Sequence, residues 1–275
     1  MTAPSLSKLF DLSGKVAVIT GGAGIIGTAV SRGLTAHGAD VAVVDIDGQG
    51  AEKLAGEIAE EYGVKAIGIK CDVFSPPSVA KMVDSVCDGL GGIHILLNNA
   101  ATKKSDLNEF FAPFEDYKLE TWREIMSVNI DGMFLVAQAV GRKMIEQGTG
   151  GSIIQTASIY GLCGPDQRIY EDSEYLGRQI NTPAAYAASK AAVNGLTVHL
   201  ATYCADQGIR VNTLVPGGVE SEQYDTFQKA YSERTPMGRM AERNEMVGAF
   251  VYLASEASSY VTGQKIVVDG GWTAW

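Results

Sequence analysis

The sequence predicts a doubly wound α/β fold built on a parallel sheet. Three observations predict it. Apolar runs of strand length alternate with helical stretches along the chain, the first run leads through a glycine turn into a helix, and no linker-like shift in composition divides the 275 residues. The strand-like runs are Lys15–Thr20, Asp40–Val44, Lys65–Asp72, Ile93–Asn98, Gly151–Ala157, Ile209–Val215 and Lys265–Asp269. The length suits one large domain over residues 1–275 and leaves no room for a separate substrate domain.

The first element carries the first chemistry. Lys15–Thr20 reads as a buried strand, Gly21-Gly22-Ala23-Gly24-Ile25-Ile26-Gly27 follows at once, and a helical pattern runs on through Val30, Leu34 and His37. Gly22, Gly24 and Gly27 satisfy the G-x-G-x-x-G spacing in the strand–turn–helix context that this fingerprint requires. Glycines there allow a tight turn and close backbone approach to a pyrophosphate, while the helix N-terminus offers free N–H groups to the phosphates. The second strand ends at Asp45-Ile46. An acid at that point accepts hydrogen bonds from ribose hydroxyls and repels a 2′-phosphate, and Asp47 adds to the negative field. Between Gly21 and Asp47 the only Lys or Arg is Arg32, inside the helix, so the expected cofactor is NAD rather than NADP.

The central helix carries the second. Ala184–Asp206 reads as helix, and Tyr186 and Lys190 stand on one face of it at i and i+4. An unperturbed phenol, with pKa near 10, exchanges protons poorly at neutral pH; an adjacent ammonium favours the phenolate. Bringing it into a useful range takes about 4 kcal/mol of differential stabilisation.

Composition excludes several classes of function. A formal net charge of −10 argues against nucleic acid and anionic membrane surfaces. No apolar run reaches membrane-spanning length and no signal-peptide pattern opens the sequence, so a cytoplasmic location is expected. Cys71, Cys87, Cys163 and Cys204 are widely spaced and read as reduced thiols. His37, His94 and His199 lack a second ligand at metal spacing, so no metal site is expected.

With these residues in place, the chain resembles the short-chain dehydrogenase/reductase family in its compact, NAD-dependent form, from about Leu12 to Gly271. The motifs that carry the resemblance are Thr20-Gly21 with the glycine turn, Asp72-Val73, Asn98-Asn99-Ala100, Asn129, Ser158, Tyr186 with Lys190, and Pro216-Gly217. The resemblance implies a Rossmann-type sheet of seven parallel strands with helices on both faces, and a homotetramer. It implies that Asn129, Ser158, Tyr186 and Lys190 form the catalytic tetrad. In that tetrad Tyr186 exchanges the substrate proton, Ser158 hydrogen-bonds the same oxygen, Lys190 lowers the tyrosine pKa and Asn129 holds a water leading to solvent. It further implies a cofactor site drawn from Gly21, Gly24, Ile25, Ile26, Gly27, Asp45, Ile46, Asp72 and Val73, then Asn99, Ala100 and Ala101, and finally Pro216, Gly217, Val219 and Ser221.

The chain departs from the pattern in two places. Ile25 stands in the turn where compact members usually carry glycine. Ser158 and Tyr186 are separated by roughly twice the usual spacing, and the added segment, about residues 163–183, is rich in hydrogen-bonding groups. Because it joins two catalytic positions it is expected to act as a lid, one suited to a sugar, sugar acid or polyol. Tyr160, Arg168 and Arg178 are its candidate substrate contacts, with Ser158 and Tyr186. The two arginines could hold a substrate anion or pair with the acids beside them. Lys103-Lys104 with Phe110, Phe111, Phe114 and Tyr117 form a second candidate rim, although aromatics at these spacings more often belong to subunit contacts or local core; Trp272 and Trp275 share that ambiguity, with interface packing the favoured use. An oxoacyl thioester reductase is the alternative activity, and a silent NAD-binding sensor the alternative of another class.

Overall fold

The computed structural model describes residues 6–102, 106–175, 177–221 and 223–275. Strands β1 (Val16–Thr20), β2 (Asp40–Asp45), β3 (Ala66–Lys70), β4 (Ile95–Asn98), β5 (Gly151–Thr156), β8 (Ile209–Pro216) and β9 (Lys265–Val268) form one sheet in the order β3-β2-β1-β4-β5-β8-β9. Every neighbouring pair is parallel, so the seven expected strands and their doubly wound order are observed. The intervening β6 (Glu174–Tyr175) and β7 (Arg178–Gln179) make a separate antiparallel hairpin inside the segment expected to be a lid.

Helices α1 (Ile25–Ala36), α2 (Gly48–Tyr62), α3 (Pro76–Leu90), α4 (Leu107–Phe110), α5 (Leu119–Met126), α6 (Met133–Gln147), α7 (Ala184–Tyr203), α8 (Asp225–Arg234) and α9 (Val247–Ala254) connect the strands. Side chains alternate along each strand, which splits the core in two. Ala17 and Ile19 of β1 pack with Leu34, Ile58 and Phe250 from α1, α2 and α9. Val16 and Val18 pack on the other face with Met82, Val140 and Ala201 from α3, α6 and α7. Each fully buried Ile or Leu contributes roughly 1.5–3 kcal/mol. Local signals set the helix ends: the Asp47 side chain accepts from Gly50 N–H, Ser75 opens α3 ahead of Pro76, and Gly63 (φ 68°) closes α2.

The topology positions the site. The strand order reverses between β1 and β4, whose neighbours lead away in opposite directions and leave a crevice beyond the carboxyl ends of the strands.

Candidate active site

Two cavities open along that crevice. The first, of about 680 Å³, runs from the glycine turn past Asp45, Asp72 and Ala100 to Lys190 and Pro216. The second, of about 750 Å³, lies between the 163–183 segment, α8 and the end of β8. Ile25, Ser158, Tyr186 and Gly217 line both. The two candidate acid–base residues therefore sit at the junction of the cavities.

The first cavity fits a dinucleotide. Gly21 has φ 64° and a Cβ there would come within 3.1 Å of the Ala100 Cα, while a Cβ on Gly27 would strike the Gly21 carbonyl. Gly24 caps α1 without a side chain, so the first-turn N–H groups have no side-chain acceptor and face the cleft, where a phosphate is the natural partner. Asp45 is held in place by two backbone donors, Ala23 N–H to Oδ2 at 3.0 Å and Asp47 N–H to Oδ1 at 3.1 Å. Of the expected cofactor positions, Gly21, Gly24, Ile25, Ile26, Asp45, Ile46, Asp72, Val73, Asn99, Ala100, Ala101, Pro216, Gly217 and Val219 line this cleft. Gly27 does not, because it packs beneath the turn. Ser221 lines the adjoining second cavity, with its N–H donating to Gln223 Oε1 at 2.6 Å. Val44, Cys71, Val128 and Thr156 also line the cleft, and no motif in the sequence marks them.

At the junction, burial pushes the Tyr186 phenol above its usual range, opposed by its hydrogen bond with Ser158. Lys190 is 3% exposed, its Nζ donates to the Thr156 carbonyl at 3.0 Å, and burial lowers its pKa to about 8. Nζ lies 5.8 Å from the centre of the Tyr186 ring. Burial thus works against the charged form of each group, the phenolate of Tyr186 and the ammonium of Lys190. Asn129 lies in a π-helical stretch, Ser127–Gly132, of the kind often found at functional sites. Its side chain is fully buried: Oδ1 accepts from Thr102 N–H at 2.9 Å and Nδ2 donates to Ser189 Oγ at 3.2 Å. That amide braces the loop after β4 against α7.

The 163–183 segment forms one wall of the second cavity. Gln167 Nε2 donates to the Thr182 carbonyl at 3.2 Å, Gln179 Nε2 to the Tyr170 carbonyl at 2.6 Å and Asn181 Nδ2 to the Phe111 carbonyl at 2.8 Å. The Tyr170 hydroxyl lies 2.6 Å from Thr182 Oγ1 and 3.2 Å from the Tyr160 hydroxyl. Tyr160, Tyr170, Ile180, Asn181 and Thr182 face the cavity, whereas Glu171, Asp172 and Glu174 are exposed. Of the two uses open to Arg168, the structure shows pairing with the acids: it is exposed and held in two places by Asp166 at 2.8 Å, away from the cavity wall. Only the backbone of Arg178 is described, in β7, and Lys103-Lys104 lie outside the described residues. Phe110 and Phe111 line the chamber, while Phe114 is 80% exposed. Trp272 belongs to the core and not to an interface: it is buried within the chain, stacked on Tyr231 at 4.3 Å.

Residues 21–273 match the family model described as Enoyl-(Acyl carrier protein) reductase. The chain belongs to the short-chain dehydrogenase/reductase family. As a member of it, the protein is an oxidoreductase that acts on CH–OH groups with a nicotinamide cofactor. It is 36% identical to a D-threitol dehydrogenase of Mycolicibacterium smegmatis, with 98% of each chain covered. It is 34% identical to a 3-oxoacyl-[acyl-carrier-protein] reductase of Aquifex aeolicus, over 94% of this chain and 98% of that protein. Among solved structures it superposes with a TM-score of 0.85 on a gluconate 5-dehydrogenase from Burkholderia cenocepacia in complex with NADP and tartrate, at 35% identity and 98% coverage of each chain. Within the described residues no helix is long and apolar enough to cross a membrane, and no cluster of His, Cys, Asp or Glu could hold a metal ion.

Proposed function

We propose that this dehydrogenase interconverts a secondary alcohol and a ketone on a polyhydroxylated small molecule, using NAD. The observation that carries the reading is the place of Ser158 and Tyr186 on the wall shared by both cavities. A carbinol carbon held there in the second cavity would adjoin a nicotinamide held in the first. A bound nicotinamide supplies hydride acceptance and a positive charge.

The chain's own residues handle the proton. Tyr186 Oη takes it from the substrate hydroxyl as a phenolate, a form that burial opposes and that a positive charge in the first cavity would favour. Ser158 orients the same oxygen, and Lys190, anchored on Thr156, adds its charge from below. Asn129 keeps α7 and the loop after β4 in register. The hydroxyl-lined wall of Tyr160, Tyr170 and Thr182, with the buried and unpartnered Asn181 Oδ1, favours a substrate with several hydroxyl groups. Asp45 favours NAD, in contrast to the NADP of the gluconate dehydrogenase structure.

Initial rates of NADH formation across aldonates, alditols, simple secondary alcohols and a hydroxyacyl thioester test the reading, with Tyr186→Phe as the control. Turnover of a polyhydroxylated compound that collapses in the variant while NAD still binds is the expected result. Undiminished turnover in the variant would refute the mechanism. Phe110, Phe111, Phe227 and Met240 give the chamber an apolar side, and that observation supports the thioester as a second reading. Turnover of the thioester alone would establish it instead.

A further inference from the structure

We infer that Arg243 is a carboxylate anchor of the substrate chamber, so that the preferred substrates are polyhydroxy acids. The inference rests on the polyol reading and narrows it. Among the described residues that line the chamber, Arg243 is the one with a formal charge. The rest of the wall is apolar or neutral and polar, as at Gln223, Thr182 and Tyr160.

Arg243 opens a 3-10 turn, Arg243–Met246, that packs against α1, whose first residue Ile25 lines both cavities. The acids nearest to it in sequence are already engaged. The Glu242 side chain accepts from the Glu245 backbone N–H in a capping box. The Glu245 carboxylate takes both terminal nitrogens of Arg239, at 2.5 and 2.7 Å, and the Glu242 N–H at 2.8 Å. Arg234 and Arg168 share Asp166. Arg243 itself makes no hydrogen bond or ion pair among the described residues, so its forked donors are free at the chamber mouth. In a chain of net charge −10, a guanidinium with no ion pair, facing a cavity whose other described lining residues carry no formal charge, is a local attractor for anions, and its geometry suits bidentate capture of a carboxylate. The dinucleotide pyrophosphate is the competing anion, but Arg243 lines the substrate chamber and not the cofactor cleft.

The test compares aldonates of four to six carbons with the matching alditols, which differ only in the terminal carboxylate. In the wild type, kcat/KM for the acid should exceed that for its alditol, and Arg243→Gln should lower that ratio about tenfold to a hundredfold. Arg243→Lys should keep most of it. Calorimetric titration of the enzyme–NADH complex with each compound should show the same order. Preference of the wild type for alditols would overturn this inference and leave the polyol reading standing. An unchanged ratio in Arg243→Gln, with a raised KM for NAD, would overturn it in favour of the pyrophosphate. Failure of the wild type to bind or turn over either series would overturn the polyol reading, and this inference with it.

Discussion

Lys190 Nζ donates to the Thr156 carbonyl at 3.0 Å, tying the middle of the central helix to the end of β5. The ammonium is buried there, and desolvation lowers its pKa from 10.5 to about 8. Between those values the unfolded chain holds a proton that the folded chain releases, so stability rises with pH across that window. Urea unfolding of the unliganded protein should show the wild type gaining up to about 2 kcal/mol from pH 8 to 9.5 relative to Lys190→Met. Parallel pH profiles for the two proteins would mean that the lysine titrates normally.

The buried Asn129 amide joins two elements, Thr102 and Ser189. Asn129→Ala deletes both hydrogen bonds and should cost about 2–3 kcal/mol of stability. Ser189→Ala removes one of the two, and its loss should be the smaller. Stability unchanged in Asn129→Ala would assign the residue to the backbone alone.

Asp45 should set cofactor choice. Asp45→Ala removes an acceptor for the ribose hydroxyls and the charge that repels a 2′-phosphate. The ratio of kcat/KM for NAD over NADP should fall about a hundredfold, equivalent to about 3 kcal/mol. A wild type that prefers NADP would contradict the role given to this carboxylate.

The chamber wall depends on Tyr170, whose hydroxyl connects Tyr160 and Thr182 and whose ring stacks on Phe227 at 5.3 Å. Tyr170→Phe keeps the stacking and leaves Thr182 Oγ1 without its partner. The expected loss is about 1–2 kcal/mol, seen as a lower Tm, together with a higher KM for substrate. A KM change with no loss of stability would mean that Tyr170 contacts substrate without bracing the wall.

Much of this was legible in the sequence because the signals are local. A glycine turn between a strand and a helix, an acid at the next strand end, and Tyr186 four residues before Lys190 each take their geometry from one or two adjacent elements. Ile25 breaks the usual turn composition, yet it is half-exposed at the start of α1 and the turn closes around it. The chain after β8 turns from one cavity to the other within a few residues, so that Val219 lines the first and Ser221 the second, which spacing alone does not reveal.

By itself the sequence marked the strand-like runs, the cofactor turn and the placing of Tyr186 and Lys190 on one helix face, since periodicity and short spacings are properties of single elements. Tertiary structure decided the contacts between distant segments. The pairs of Arg168 with Asp166 and of Arg239 with Glu245 are local, whereas Arg234 reaches Asp166 and Trp272 stacks on Tyr231 only across the fold. Packing also set Arg243 on the chamber wall beside residues from α1 and the end of β8. Contacts of that kind depend on distances between side chains that meet only when the elements pack.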